Sequence, residues 1–175
     1  AFWVVREAYR NLGELYYGYG REEDLEEAHR LMSEVSVVPE ALVLAECGVT
    51  SMHDVTRGGL LETLLEIAHL SRANIEVDTS KLPMRPVVTR FADAFQFDPL
   101  QMISSGTLVA TVPPDHVTDV AKALAERNIV YGDVGCVTDG VGVSILREDK
   151  ATHYHDIQCE EDELARLWAL YPRTE

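Results

Sequence analysis

The sequence predicts an α/β fold of the α+β type, a mixed β-sheet flanked by helices. Three observations carry that expectation. Short segments of alternating apolar and polar residues occur between segments whose apolar residues recur at helical spacing. Glycine and proline punctuate the joins. With 46% hydrophobic and 26% charged residues, the composition is that of a folded globular chain with a core of its own.

The elements follow in order. Residues 1–20 are aromatic-rich, with Phe2, Trp3, Tyr9, Tyr16, Tyr17 and Tyr19, and are expected to form a helix ending near Gly18 or Gly20. "REEDLEEAHRLMSEV" reads as a helix whose acidic first turn suits the macrodipole. "VVPEALVLAECG" reads as another, with Pro39 near its start and Gly48 as its stop. In "SMHDVTRGGLLETLLEIAHL" a polar, turn-prone front leads into a helix, and Leu60, Leu61, Leu64, Leu65 and Ala68 form one apolar stripe. Ile75 and Val77 alternate with polar neighbours in "NIEVDTSKL", as in a strand. "RPVVTRFADAF" reads as a helix, and "SGTLVATVPP" as a strand closed by two prolines. Val117, Val120, Ala121 and Leu124 fall at helical spacing. "NIVYGDVGCV" and "GVGVSIL" read as two strands joined in a hairpin-type turn at Asp139-Gly140. "CEEDELARLWALY" completes the chain as a helix with Leu164, Leu167, Trp168 and Tyr171 on one face.

Charge and composition restrict the function. A net charge of −15 excludes nucleic acid as a main partner, because phosphate backbones are bound by basic surfaces. No apolar run is long enough to cross a membrane. Cys47, Cys136 and Cys159 are odd in number and lack paired spacing, which points to reduced thiols in a cytoplasmic protein. No basic, hydrophobic leader precedes the first helix. The first residue is Ala1 and not Met, as expected of a portion of a longer chain.

The stretch from Asp54 to Gly59 is the first candidate for chemistry. Asp54 or Thr56 would cap the following helix, which is worth about 1 kcal/mol. Capping does not call for Gly58-Gly59, since a glycine in the first turn costs about as much as a cap gains. Glycines there fit a close approach by another backbone or by a phosphate, with Arg57 adding charge. The same residues also fit a plain helix start. His53, beside Asp54, reads either as a general base or as a partly buried polar neighbour. His153, His155, Asp156 and Cys159 form a second candidate. His-x-His on a strand puts both imidazoles on one face, with a carboxylate and a thiol following, as in half of a zinc site. The competing reading is a set of scattered polar residues ahead of a helix. Asp98, Ser104, Ser105 and Gly106 read as a turn entering a strand.

Three segments in order carry a family resemblance. "MHDVTRGGLLETLLEIA" resembles the central motif of the C-terminal domain in the aminoimidazole ribonucleotide (AIR) synthase superfamily, nearest to the branch of the hydrogenase maturation factor HypE. "NIEVDTSKLPMRPVV" and "FDPLQMISSGTLVATVPPD" resemble that branch's next strand with its Pro-rich connection, and its Asp-Pro-Leu segment. The resemblance spans roughly Glu22 to Leu146. It implies residues 1–21 as a helical extension or remnant of an upstream region, 22–150 as the domain, and 151–175 as a C-terminal helix packed on it.

In that superfamily ATP lies between an N-terminal ATP-binding domain and this C-terminal domain, and members dimerise through the N-terminal one. The resemblance therefore implies that Asp54 helps to hold Mg²⁺ and that Thr56, Arg57, Gly58 and Gly59 line the phosphate side of the cleft. It implies ATP-dependent phosphoryl-transfer or dehydratase chemistry in a homodimer, acting on a small-molecule or protein acceptor, and leaves the catalytic residues unassigned. Two departures separate this chain from the branch. Ser104-Ser105 stands where the branch has Asn-Glu before the glycine. The chain ends "LYPRTE", with Cys159 sixteen residues from its end, where the branch ends in the cysteine that carries the carbamoyl group.

Overall fold

A computed structural model describes residues 22–156 and 163–170. Its helices are α1 (Glu22–Arg30), α2 (Val38–Glu46), α3 (Gly59–Ser71), α4 (Pro86–Phe95), α5 (Val117–Glu126) and α6 (Glu163–Leu170). Its strands are β1 (Ser51–Val55), β2 (Asn74–Asp78), β3 (Thr107–Thr111), β4 (Gly135–Thr138), β5 (Gly142–Arg147) and β6 (Lys150–Tyr154). The mixed α/β class is therefore as expected. The proposed N-terminal helix, Tyr171 and Cys159 lie outside the described residues.

Two sheets share the strands. β1 and β3 form an antiparallel ribbon, and the other four run in the order β4-β2-β5-β6. β2 and β5 are parallel, while β4 and β6 lie antiparallel to their neighbours.

Helix α3 is the centre of the packing. Leu61, Leu64, Leu65, Ile67 and Ala68 are buried against Ile75, Val77, Val143 and Ile145 of the four-stranded sheet. Alternation along β2 and β5 aims those four residues at the helix, and the residues between them at the other face. Two smaller cores flank this one. Val43 and Leu44 of α2 meet Val120 and Leu124 of α5 beneath Leu108 and Ala110 of β3. Phe91 and Phe95 of α4 pack with Ala28, Met102, Leu164 and Leu167. Arg90 of α4 also binds Asp24 and Glu27 of α1, at 2.6 and 3.2 Å.

Three expectations are corrected. The front of the central motif is a strand and not a turn: residues 51–55 pair with β3 along their whole length, from Ser51↔Thr111 to Val55↔Thr107. Its polar side chains conceal this, because the stabilising bonds are made by the backbone. The hairpin at Asp139-Gly140 does not form either, because β2 lies between β4 and β5. Of "NIVYGDVGCV", only Gly135–Cys136–Val137 is strand. The hairpin of this sheet is β5–β6, where Arg147 pairs with Lys150 across Glu148-Asp149. Lastly, α1 ends at Arg30 and continues as a 3₁₀ turn, Leu31–Glu34.

Leu65 is 1% exposed at the centre of this packing. Leu65→Ala is expected to lower unfolding stability by about 2–5 kcal/mol, read from urea denaturation. A loss below ~1 kcal/mol would contradict the central place given to α3.

Candidate functional site

The candidate site lies where β1 turns into α3. Neither Asp54 nor Thr56 caps the helix: the N-cap is Gly58, at φ 76°, with no side-chain cap bond. The αL backbone at the glycine turns the chain through a bend that an Asp or Thr side chain would otherwise have to stabilise.

The second glycine is explained by another backbone. Gly59 also has a positive φ, 69°, and a Cβ there would lie 2.5 Å from the Leu100 carbonyl oxygen and 2.7 Å from that of Met102. The 98–102 loop thus sits directly on the helix mouth, and the Leu61 N–H donates to the Leu100 carbonyl at 2.9 Å. Asp98 holds this loop in place, accepting from the Leu100 N–H at 3.0 Å and from Arg147 at the end of β5. Of the two approaches the sequence allowed, backbone or phosphate, the backbone takes Gly59. The Gly59 N–H is also engaged, with the Thr56 carbonyl at 3.3 Å. Two amides of the mouth therefore have partners within the chain.

What remains outward is a set of side chains. Asp54, Thr56 and Arg57 are exposed, whereas Gly58 and Gly59 are buried. Asp54 stands on the opposite pleat of β1 from His53 and Val55. Val55 is buried, and His53 Nε2 lies 3.6 Å from Glu66 Oε2 of α3. His53 is half-exposed, which favours neither of its two readings. Glu62, which the sequence did not single out, folds back over Gly58: a Cβ on that glycine would lie 1.5 Å from its Oε2.

The β1–β3 register brings a second segment to the same end of the ribbon. Val55 pairs with Thr107, so the turn of Ser104, Ser105 and Gly106 lies next to the start of the motif. Ser104 is engaged in the turn, its hydroxyl 2.8 Å from that of Thr107 and its carbonyl accepting from the Thr107 N–H.

Of the second candidate, His153 lies on β6 of the other sheet, His155 and Asp156 follow the end of that strand, and Cys159 lies outside the described residues. Only His153 is within the strand, His155 lying one residue past its end, yet their ring centroids are 4.2 Å apart. Among the described residues no group of three or more His, Cys, Asp or Glu side chains could hold a metal ion.

Residues 10–147 match the family model described as AIR synthase related protein, C-terminal domain. The chain belongs to that family. Among its relatives is the carbamoyl dehydratase HypE of Rhizobium leguminosarum bv. viciae, 34% identical over 88 residues, covering 50% of this chain and 25% of that protein. Another is the carbamoyl dehydratase HypE of Rhodobacter capsulatus, 32% identical over 112 residues, covering 64% of this chain and 30% of that protein. Among solved structures, E. coli HypE, a hydrogenase maturation protein, matches 75% of this chain and 41% of its own, with a TM-score of 0.63 and 25% identity. HypE in complex with ATP shares the fold at a TM-score of 0.56 and 21% identity, over 77% of this chain and 41% of its own. The chain is thus HypE-like and spans a quarter to under a half of these relatives' lengths.

The glycine pair gives paired predictions. Gly59→Ala is expected to destabilise by roughly 1–3 kcal/mol or more, because neither its backbone nor the opposing carbonyls can yield. Gly58→Ala is expected to destabilise as well, because its positive φ is strained for alanine and its Cβ would lie 2.6 Å from Glu62 Cβ, which the helix backbone holds in place. Thermal unfolding of each variant checks this; a Gly59→Ala loss below ~0.5 kcal/mol would contradict the role of the 98–102 backbone.

Proposed function

We propose that this chain supplies the phosphate-facing wall of an interdomain ATP cleft in a HypE-like, ATP-dependent protein. The observation that carries the reading is the exposed trio of Asp54, Thr56 and Arg57 on a rigid glycine bend at the mouth of α3. A hydroxyl and a guanidinium at a helix N-terminus suit phosphate oxygens. The relative solved with ATP supports nucleotide as the ligand.

Asp54 suits Mg²⁺, which is commonly held by one or two carboxylates together with substrate phosphates and waters. Its side chain is 61% exposed, so it leaves room for those waters and phosphates. When bound, the ion would offset the repulsion between the acidic surface and the nucleotide. Thr56 and Arg57 would orient the phosphates, while Gly58 and Gly59 shape the wall by letting the backbone turn tightly. Phosphoryl transfer depends mainly on such positioning and charge stabilisation. The remaining half of the cleft would come from an N-terminal ATP-binding domain, in a cytoplasmic protein that dimerises through that domain. The acceptor is a small molecule or a protein.

A second reading is a non-catalytic relative that binds nucleotide or a maturation partner. Ser104-Ser105, where the resembling branch has Asn-Glu, favours it, because a serine hydroxyl has neither the negative charge nor the basicity of a carboxylate at neutral pH.

Calorimetry with a non-hydrolysable ATP analogue and Mg²⁺ tests the first reading on the two-domain protein. Asp54→Ala is expected to weaken Mg²⁺-dependent binding by about tenfold or more, equivalent to ~1.4 kcal/mol. Affinity indifferent to that substitution would exclude the assignment. Intact binding without turnover would favour the scaffold. The 175-residue chain alone is expected to bind the nucleotide weakly or not at all, and a submicromolar dissociation constant would overturn the two-walled cleft.

A further inference from the structure

The four-stranded sheet has a second face, turned away from α3, and it carries a continuous polar chain. Thr138 of β4, Asn74 and Glu76 of β2, Ser144 of β5 and His153 of β6 all point to it, as the alternation and register require. His153 Nδ1 lies 2.9 Å from Ser144 Oγ. Ser144 Oγ donates to Asn74 Oδ1 at 3.3 Å, and Asn74 Nδ2 donates to Thr138 Oγ1 at 2.9 Å. Thr138 Oγ1 in turn donates to Glu76 Oε1 at 3.2 Å.

The direction of the chain decides the state of the histidine. A serine hydroxyl has one proton, and here it goes to Asn74 Oδ1. Ser144 can then only accept from His153, so Nδ1 carries the proton and Nε2 keeps its lone pair. A solvated surface histidine needs no such arrangement. The ring is also seated: a Cβ on Gly142, at φ 122°, would lie 3.0 Å from His153 Nε2 and 3.1 Å from Cε1. Glycine therefore makes room for the imidazole edge.

The second imidazole is held beside it. The rings of His153 and His155 meet edge to face with centroids 4.2 Å apart. The backbone of His155 is anchored from α3, because His69 Nε2 donates to its carbonyl at 2.5 Å. Both histidines lie beyond residue 147, where the match to the family model ends.

We infer that His153 and His155 form an open two-imidazole site for a late first-row divalent cation such as Zn²⁺, Cu²⁺ or Ni²⁺. Imidazole nitrogen is a preferred donor for these ions. A hydrogen bond at the other ring nitrogen is the usual means of orienting a metal-binding histidine, and Ser144 supplies it here. With two protein donors, water or an exogenous donor completes the coordination, which distinguishes this site from a closed structural zinc site. The charge of −15 favours cation approach.

Zinc chloride titrated into the 175-residue chain tests the site, read by calorimetry and by nitrogen-15 imidazole spectra. In the metal-free protein at mildly alkaline pH, His153 should appear as the Nδ1–H tautomer. One equivalent of zinc should bind and shift both imidazoles. His153→Ala and His155→Ala should each weaken binding at least tenfold. Ser144→Ala keeps both donors, yet should weaken binding by about tenfold and release His153 into a mixture of tautomers. An Nε2–H tautomer in the unaltered protein would overturn the inference. So would the absence of zinc binding, or binding that survives both histidine substitutions.

Discussion

The architecture around the candidate site depends on one close backbone contact, the seating of the Leu100–Met102 carbonyls on Gly59. No side chain fits between them, since even a methyl group would overlap two carbonyl oxygens. The Leu61 amide completes the contact by donating to Leu100. This fixes the N-terminus of α3 to a loop that Asp98 and Arg147 tie to the end of β5. The helix mouth, the ribbon entering it and the central sheet are thereby held in one frame. A binding wall gains from such rigidity, because groups already held in place lose little freedom when a ligand arrives.

The same contact redefines what the helix mouth can offer. Gly59 and Leu61 have carbonyl partners, and Glu62 covers Gly58. The amides alone therefore make a poorer anion site than the motif suggests in isolation. The outward side chains of Asp54, Thr56 and Arg57 take over that part of the proposed role. A metal-assisted site suits an acidic protein better than a bare anion cradle, since the cation offsets like-charge repulsion.

The two faces of the four-stranded sheet divide the molecule's chemistry. One face is apolar and builds the core with α3. The other is a polar ladder running from Glu76 to His153 across all four strands. Asn74 is 7% exposed, and it stays satisfied because both ends of its amide are bonded within that ladder. The sequence singled out His153 and His155 but not Ser144, which meets His153 across the β5–β6 hairpin, or Asn74, which joins Ser144 only through the pairing of β2 with β5.

The sequence by itself determined the α/β class, the apolar stripe of α3, the inward residues of β2 and the place of β3. Each depends on spacing between neighbours along the chain, which periodicity records directly. It left the Asp54–Gly59 run open between a plain helix start and a close approach, because two glycines are costly in a helix's first turn. Tertiary structure alone decided that Ser51–Val55 is a strand, since the bonds that stabilise it belong to the backbone of β3. It also decided that β2 separates β4 from β5, and that Gly59 yields its space to Leu100 and Met102. Those outcomes depend on residues dozens of positions apart, and no local pattern encodes which distant backbone will come to lie alongside.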